Sequence, residues 1–211
     1  MENVGANSKI NTIVFDIGNV LAPFGWEAVF AEMFDEKTAA RVAEATVLNR
    51  KLWDEFDRGS LSDEEIIQSF KDYAPDVADK IESAIWEIYR RKTPFDYADK
   101  WMSHLKEQGY RIYLLSNYGR TAFNMSKPQF TFLKYVDGGV ISYQVEITKP
   151  DPRIYMILCQ KYGISPNEAV FIDDNKDNIA AAKELGFNVV LHEDEKSSKE
   201  KFKALGIEVE A

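Results

Sequence analysis

The pattern of hydrophobic and polar positions divides the chain into a short apolar opening, a long helical stretch and an alternating remainder. Residues 12–16, TIVFD, form a β-branched and aromatic run that ends abruptly in a carboxylate. That is the pattern of a buried parallel strand. From Trp26 to about Arg91 the apolar positions recur at helical spacing, predicting helices over 27–33, 37–44, 47–57, 62–73 and 77–91. Gly59 suits a helix stop, and Ser62 with Glu65 forms a capping box for the helix that follows. Thr93-Pro94 predicts the start of another helix, ending at Gly109. Beyond it the rhythm changes. Strands are predicted over 110–116, 139–143, 169–173 and 187–191, and helices over 118–126, 152–162, 175–185 and 196–204, with a short helical or irregular piece at 130–135.

Strand and helix alternating from residue 110 onward imply an α/β fold, a Rossmann-like parallel sheet flanked by helices. The first strand belongs in that sheet, so the helices of residues 23–92 form an insertion after it. Residues 1–22 and 93–211 then make up the α/β core.

Composition narrows the partners. The 211 residues include 26 Lys and Arg against 35 Asp and Glu, a net charge of −9. This argues against nucleic acid or an anionic membrane as the main partner. The single cysteine, Cys159, rules out an intrachain disulfide or a cysteine-based metal site, and its apolar helical setting suits a buried, inert thiol. The opening residues lack the apolar stretch of a signal peptide, and no run reaches membrane-spanning length. A cytoplasmic monomer or homodimer is expected.

The candidate chemistry lies where the strands end. Asp16 follows the first strand, and Asp173-Asp174 closes the strand that begins at Ala169. Open α/β sheets place their active sites at this edge. Three crowded carboxylates repel, so a divalent cation is the simplest reason to tolerate them. Asp16 alone reads as a metal ligand, a nucleophile or a helix cap. Ser116-Asn117 ends the apolar strand IYLL and reads either as a cap or as a phosphate-binding hydroxyl with backbone amides. Lys149, held before Pro150-Asp151-Pro152, reads either as a solvated lysine or as a fixed cation for an anionic substrate. Asn178, one helical turn beyond Asp174, is placed to reach the same site.

Taken in order, the segments VFDIGNVL, IYLLSNYGR, ITKPDPRIY and VFIDDNKDNIAAAKELG resemble the haloacid dehalogenase-like hydrolase superfamily. The likeness is nearer to its small-capped phosphatases, whose first motif reads F-D-I/L-G-N-V and some of which are associated with sugar phosphates such as glucose 1-phosphate. It covers essentially the whole chain, with residues 23–92 in the position of a helical cap. The resemblance implies Asp16 as a nucleophile that forms an aspartyl-phosphate, and Mg²⁺ held by Asp16, the Gly18 carbonyl and Asp174. It implies Asp173 and Asn178 as supports, and Ser116, the Asn117 amide and Lys149 as holders of the phosphoryl oxygens. The implied substrate is a small phosphorylated metabolite.

The chain departs from the pattern at Gly18, where most phosphatases of this superfamily carry a second aspartate as general acid and base. Such help is typically worth about 10²–10⁴ in rate. Another group, water, a good leaving group such as an anomeric sugar hydroxyl, or slow turnover would each accommodate the loss. Two rivals follow. A 2-haloacid dehalogenase also lacks that aspartate but needs no metal, so the Asp173-Asp174 pair argues against it. A phosphometabolite-binding protein of low activity would keep the site without turnover. Trp26, Trp53, Phe56 and Trp86 are candidates to line the pocket or to pack the inserted helices. Tyr118 and Arg120 are candidates for its edge, and His104 and His192 read as structural or surface residues.

Overall fold

A computed structural model describes residues 9–209. Of the expected core segments, residues 1–8 and 210–211 lie outside that range. Five strands, Thr12–Phe15 (β1), Arg111–Ser116 (β2), Gly138–Ile141 (β3), Ala169–Asp173 (β4) and Asn188–Leu191 (β5), form one parallel sheet in the order β3-β2-β1-β4-β5. The chain first builds outward from β1 through β2 to β3. It then crosses back to lay β4 on the other side of β1, so the order reverses between β1 and β4. A crevice opens at such a reversal, at the carboxyl ends of the strands.

The central strands are buried on both faces, which is why they read as near-continuous apolar runs. Ile13, Phe15, Ile112, Leu114, Val170 and Ile172 point into one apolar cluster. Val14, Tyr113, Leu115, Ala169 and Phe171 point into the other, beneath helices Pro152–Tyr162 and Lys176–Glu184.

Helices Trp26–Met33 (α1), Glu36–Ala45 (α2), Arg50–Arg58 (α3), Asp63–Tyr73 (α4) and Ala78–Arg90 (α5) follow β1 directly. Their buried faces, among them Phe30, Val42, Phe56, Phe70 and Ile85, are continuous with the cluster around Phe15 and Ile17. The capping box at the start of α4 is present: Glu65 N–H donates to Ser62 Oγ at 3.2 Å, and Ser62 N–H donates to Glu65 Oε2 at 2.8 Å. Among the described residues no helix is long and apolar enough to cross a membrane.

Three helices begin later than their sequence patterns predict, two because of a tertiary contact and one because of a local cap. The helix expected at Pro94 starts at Ala98 as α6 (Ala98–Glu107). Phe95 N–H donates to Leu21 O at 2.9 Å, tying this segment to the turn after β1 instead. The helix expected at Tyr118 starts at Arg120 as α7 (Arg120–Ser126), because Tyr118 N–H donates to Ser142 Oγ at 2.8 Å. In α3 the start moves to Arg50, where the Asn49 carboxamide caps it by accepting from Leu52 N–H. The remaining helices, α8 (Pro152–Tyr162), α9 (Lys176–Glu184) and α10 (Glu195–Ala204), lie within a residue or so of expectation.

Candidate active site

Sheet register decides which residues meet. Phe15 pairs with Ile172, and Asp16 N–H continues the ladder to Ile172 O at 2.9 Å, so Asp16 and Asp173 emerge side by side at the β1/β4 reversal. Ser116 ends β2 on the other flank of β1. Asp16, Asp173 and Asp174 each bring a carboxylate oxygen within 4.8 Å of the others.

Lys149 binds this cluster together. Its side chain is 1% exposed, with Nζ 2.6 Å from Asp173 Oδ2 and 2.9 Å from Asp16 Oδ1. Burial alone would depress the ammonium, but the Asp16 and Asp173 charges outweigh it and raise its pKa, so the lysine is a fixed cation. The chain that carries it is held by Asn117. Lys149 N–H donates to Asn117 Oδ1 at 2.8 Å, and Asn117 Nδ2 donates to Lys149 O at 3.0 Å. A single carboxamide thereby pairs with both polar groups of one residue, as a neighbouring strand would.

The three carboxylates occupy different environments. Asp173 is fully buried and engaged on both oxygens, by Lys149, by Asn175 N–H at 2.8 Å and by Asn178 Nδ2 at 3.0 and 3.1 Å. Asn178 therefore reaches the site by holding Asp173. Asp174 is partly exposed and accepts from Asn19 Nδ2 at 2.9 Å. Asn19 sits at φ 53°, a left-handed turn conformation that asparagine tolerates, and its Oδ1 accepts from Phe24 N–H. Burial pushes the Asp16 carboxyl well up; Lys149 pulls it down, Asp173 and Asp174 push it further up, and Ser116 opposes them with a hydrogen bond. Burial also raises Asp174.

Lys149 thus leaves part of the carboxylate repulsion unrelieved. The remaining oxygens of Asp16 and Asp174, hard donors beside the Gly18 turn, fit a hard divalent cation such as Mg²⁺. Asp173 is too fully engaged to serve as a ligand.

Asp16, Gly18, Ser116, Asn117, Lys149, Asp174 and Asn178 border one cleft of about 240 Å³, with Asp173 behind it. Of the aromatic candidates, Trp53 and Tyr118 line the cleft. Phe56 is packed among Trp53, Trp86 and Tyr89, with ring centroids 5.1–6.0 Å away. Trp26 packs on Phe30, and Trp86 borders a separate groove with Thr121. Arg120 lies over the Tyr143 ring, and His104 lines a different cleft with Trp101. His192 Nδ1 is 2.8 Å from Ser198 Oγ. Cys159 is partly buried within the second apolar cluster.

Sequence reasoning missed the opposite wall. Phe24, Asp57, Tyr89 and Lys92 also line the cleft. Asp57 stands one helical turn after Trp53, so the two share a face of α3. That spacing was the available signal. Lys92 is buried and donates from Nζ to Pro23 O and Phe24 O.

A sequence model described as haloacid dehalogenase-like hydrolase matches residues 10–186. (S)-2-haloacid dehalogenase 4A of Burkholderia cepacia is 26% identical over 130 residues, covering 62% of this chain and 56% of its own. D-ribitol-5-phosphate phosphatase of Bacteroides thetaiotaomicron is 38% identical over 88 residues, 38% of this chain and 42% of its own. The chain spans about half or less of the length of several curated relatives it matches, 56%, 34% and 17% in three of them. Among solved structures, a HAD-family enzyme of Bacteroides thetaiotaomicron in complex with magnesium and inorganic phosphate superposes with a TM-score of 0.67. It is 21% identical, and the match covers 86% of this chain and 93% of that one, a likeness of fold.

Proposed function

Because the chain belongs to the haloacid dehalogenase-like hydrolases, we propose that it is a Mg²⁺-dependent phosphatase that hydrolyses a small phosphomonoester through an aspartyl-phosphate on Asp16. The observation that carries this reading is the composition of the crevice. A buried lysine stands between Asp16 and Asp173, and Asp174 adds a second accessible carboxylate beside them. Displacement at carbon in a haloacid has no use for that extra acid, whereas a cation-assisted attack on a phosphorus dianion does.

Asp16 Oδ attacks phosphorus as the bond to the leaving oxygen breaks. Water then attacks the same phosphorus, and the bond to Asp16 breaks, releasing phosphate. Lys149 Nζ, the Ser116 hydroxyl and the Asn117 backbone N–H are the donors for the phosphoryl oxygens, and fixed donors of this kind stabilise charge as it spreads in the transition state. Asn117, through its side chain, keeps Lys149 in register with Ser116. Mg²⁺ held by Asp16, the Gly18 carbonyl and Asp174 would supply a counter-charge to the phosphoryl group.

In this reading residues 23–92 are a helical cap over a core formed by 1–22 and 93–211. The cleft of about 240 Å³ suits a compact metabolite, below the range of about 300–1,000 Å³ usual for drug-sized ligands. The Trp53 face offers an apolar surface for a sugar or polyol, a substrate class consistent with the ribitol-phosphate phosphatase among the relatives.

The dehalogenase relative keeps a second reading in view, since Gly18 is compatible with it. A substrate panel of sugar phosphates, nucleotides and phospho-acids with Mg²⁺ or chelator, run beside 2-haloacids, separates the two. The expected result is phosphate release that needs Mg²⁺ and is abolished by Asp16→Asn. Chloride release from 2-haloacids in chelator overturns the proposal.

A further inference from the structure

Gly18 leaves the leaving group without a proton donor on its own loop, so a donor must stand elsewhere in the cleft. Asp16, Asp174 and Lys149 are already committed to the nucleophile, the cation and the phosphoryl group. Burial pushes the Tyr89 and Tyr118 hydroxyls far up, leaving them too weakly acidic to match a departing alkoxide near neutral pH. Lys92 Nζ is tied to the carbonyls of Pro23 and Phe24. Asp57 remains.

Three contacts fix Asp57 against the edge of the sheet. Its carbonyl oxygen lies 2.5 Å from Ser142 Oγ, the hydroxyl that also accepts from Tyr118 N–H. Its carboxylate faces the Gly119 N–H, which favours the charged form against burial. The third is a close backbone approach: a Cβ at Gly119 would stand 2.8 Å from Phe56 O, so only glycine lets the end of α3 settle onto the loop after β2. The helical segment thus delivers one carboxyl to the cleft across from Asp16, on a backbone anchored at both the Ser116–Gly119 and Ser142 loops.

We propose that Asp57 is the general acid and base of the reaction, replacing the aspartate that the resemblance places at Gly18; this rests on the phosphatase reading. As the bond from phosphorus to the leaving oxygen breaks, the Asp57 carboxyl gives its proton to that oxygen. In the second step the Asp57 carboxylate takes a proton from the attacking water as its oxygen bonds to phosphorus and Asp16 is released. The acid is restored, and the sum is ester plus water giving alcohol plus phosphate. Asp57 has the protonation this needs. Burial, then Asp54 and Asp16, push it up to about 8 against the pull of Lys149 and the Gly119 N–H, so it enters the first step carrying a proton.

The test compares kcat/KM with Mg²⁺ for p-nitrophenyl phosphate and for the best alkyl phosphomonoester of the panel, in wild type and in Asp57→Asn, Asp57→Glu and Asp16→Asn. A nitrophenolate leaves without a proton and an alkoxide does not. Asp57→Asn should therefore lose about 10² or more on the alkyl ester and less than about tenfold on the aryl ester. Asp57→Glu, which keeps the acid, should recover at least about tenfold of the alkyl loss, and it carries the comparison if thermal unfolding shows that the Asn variant is not folded. Equal losses on both esters, or no loss on either, overturn the assignment. Absence of hydrolysis that depends on Asp16 in the wild type overturns the phosphatase reading itself, and this proposal with it.

Discussion

Lys149→Met tests whether one buried ammonium is what allows the acids to be adjacent. Its Nζ lies 2.6 Å from Asp173 Oδ2 and 2.9 Å from Asp16 Oδ1. At an effective dielectric near 20, each contact corresponds to roughly 6 kcal/mol of gross attraction. Desolvating three charges cancels most of this, and the cost of deleting the cation is the repulsion it leaves behind, about 3–5 kcal/mol. For a domain of this size that corresponds to a loss of roughly 6–20 °C in Tm. The pH dependence has a definite sign. The Asp16 carboxyl is already raised from its ordinary 3.8, and without Lys149 it rises further. Between its ordinary and raised values the folded state holds a proton that the unfolded state releases, so stability falls as pH rises through that window. The deficit of the variant is therefore small near about pH 5 and largest above about pH 7. Millimolar Mg²⁺ should restore part of it, since a cation bound only to the folded acids stabilises by mass action. Urea denaturation at both pH values, with and without Mg²⁺, reads all three effects. A deficit below about 1 kcal/mol, or one equal at both pH values, would refute the reasoning.

Three further outcomes are expected. Gly119→Ala places a Cβ 2.8 Å from Phe56 O and should cost about 1–3 kcal/mol in thermal unfolding while lowering activity on alkyl esters more than on aryl esters, because it lifts Asp57 from the cleft. A Cβ at Gly18 meets only Asp16 Oδ2, at 3.8 Å, an ordinary contact, so the backbone admits a side chain there; in the Asp57→Asn background Gly18→Asp should return at least about tenfold of the lost kcat/KM. Asp57→Asn alone should raise stability by about 1–2 kcal/mol above about pH 8 and not near pH 4. The folded Asp57 carboxyl sits at about 8 against an ordinary 3.8, so its burial weakens the wild-type fold progressively as pH rises between those values. Denaturant midpoints measured across that range check it, and a gain independent of pH would contradict it.

The sheet and its acidic edge were legible because strands buried on both faces leave continuous apolar runs, and the residue that breaks each run marks the crevice. Asp16, Ser116 and Asp173 are such residues. The role of Asn117 was not legible: its partner is Lys149, 32 positions away, and nothing local distinguishes a carboxamide that caps a helix from one that mimics a strand. Asp57 was hidden differently. It stands among Asp54, Glu55 and Arg58, and from sequence that run reads as an ordinary solvated helix face. The one local hint is its spacing of a helical turn from Trp53; the contacts that turn this face inward come from Gly119 and Ser142, both far along the chain. The late start of α6 has the same origin, since a proline signal for a helix yields to a hydrogen bond with Leu21.

Lys92 has a consequence for how the molecule can be rebuilt. Its ammonium reaches back to the carbonyls of Pro23 and Phe24, so the point where the chain leaves the sheet for the helices and the point where it returns are one side chain apart. A segment whose ends meet so closely is a cassette: exchanging it need not move the strand ends on either side. Since Asp57 travels within that cassette, a graft from a relative would carry over a proton donor, or the lack of one, together with whatever pocket it brings. Reactivity and fit would change hands in a single recombination.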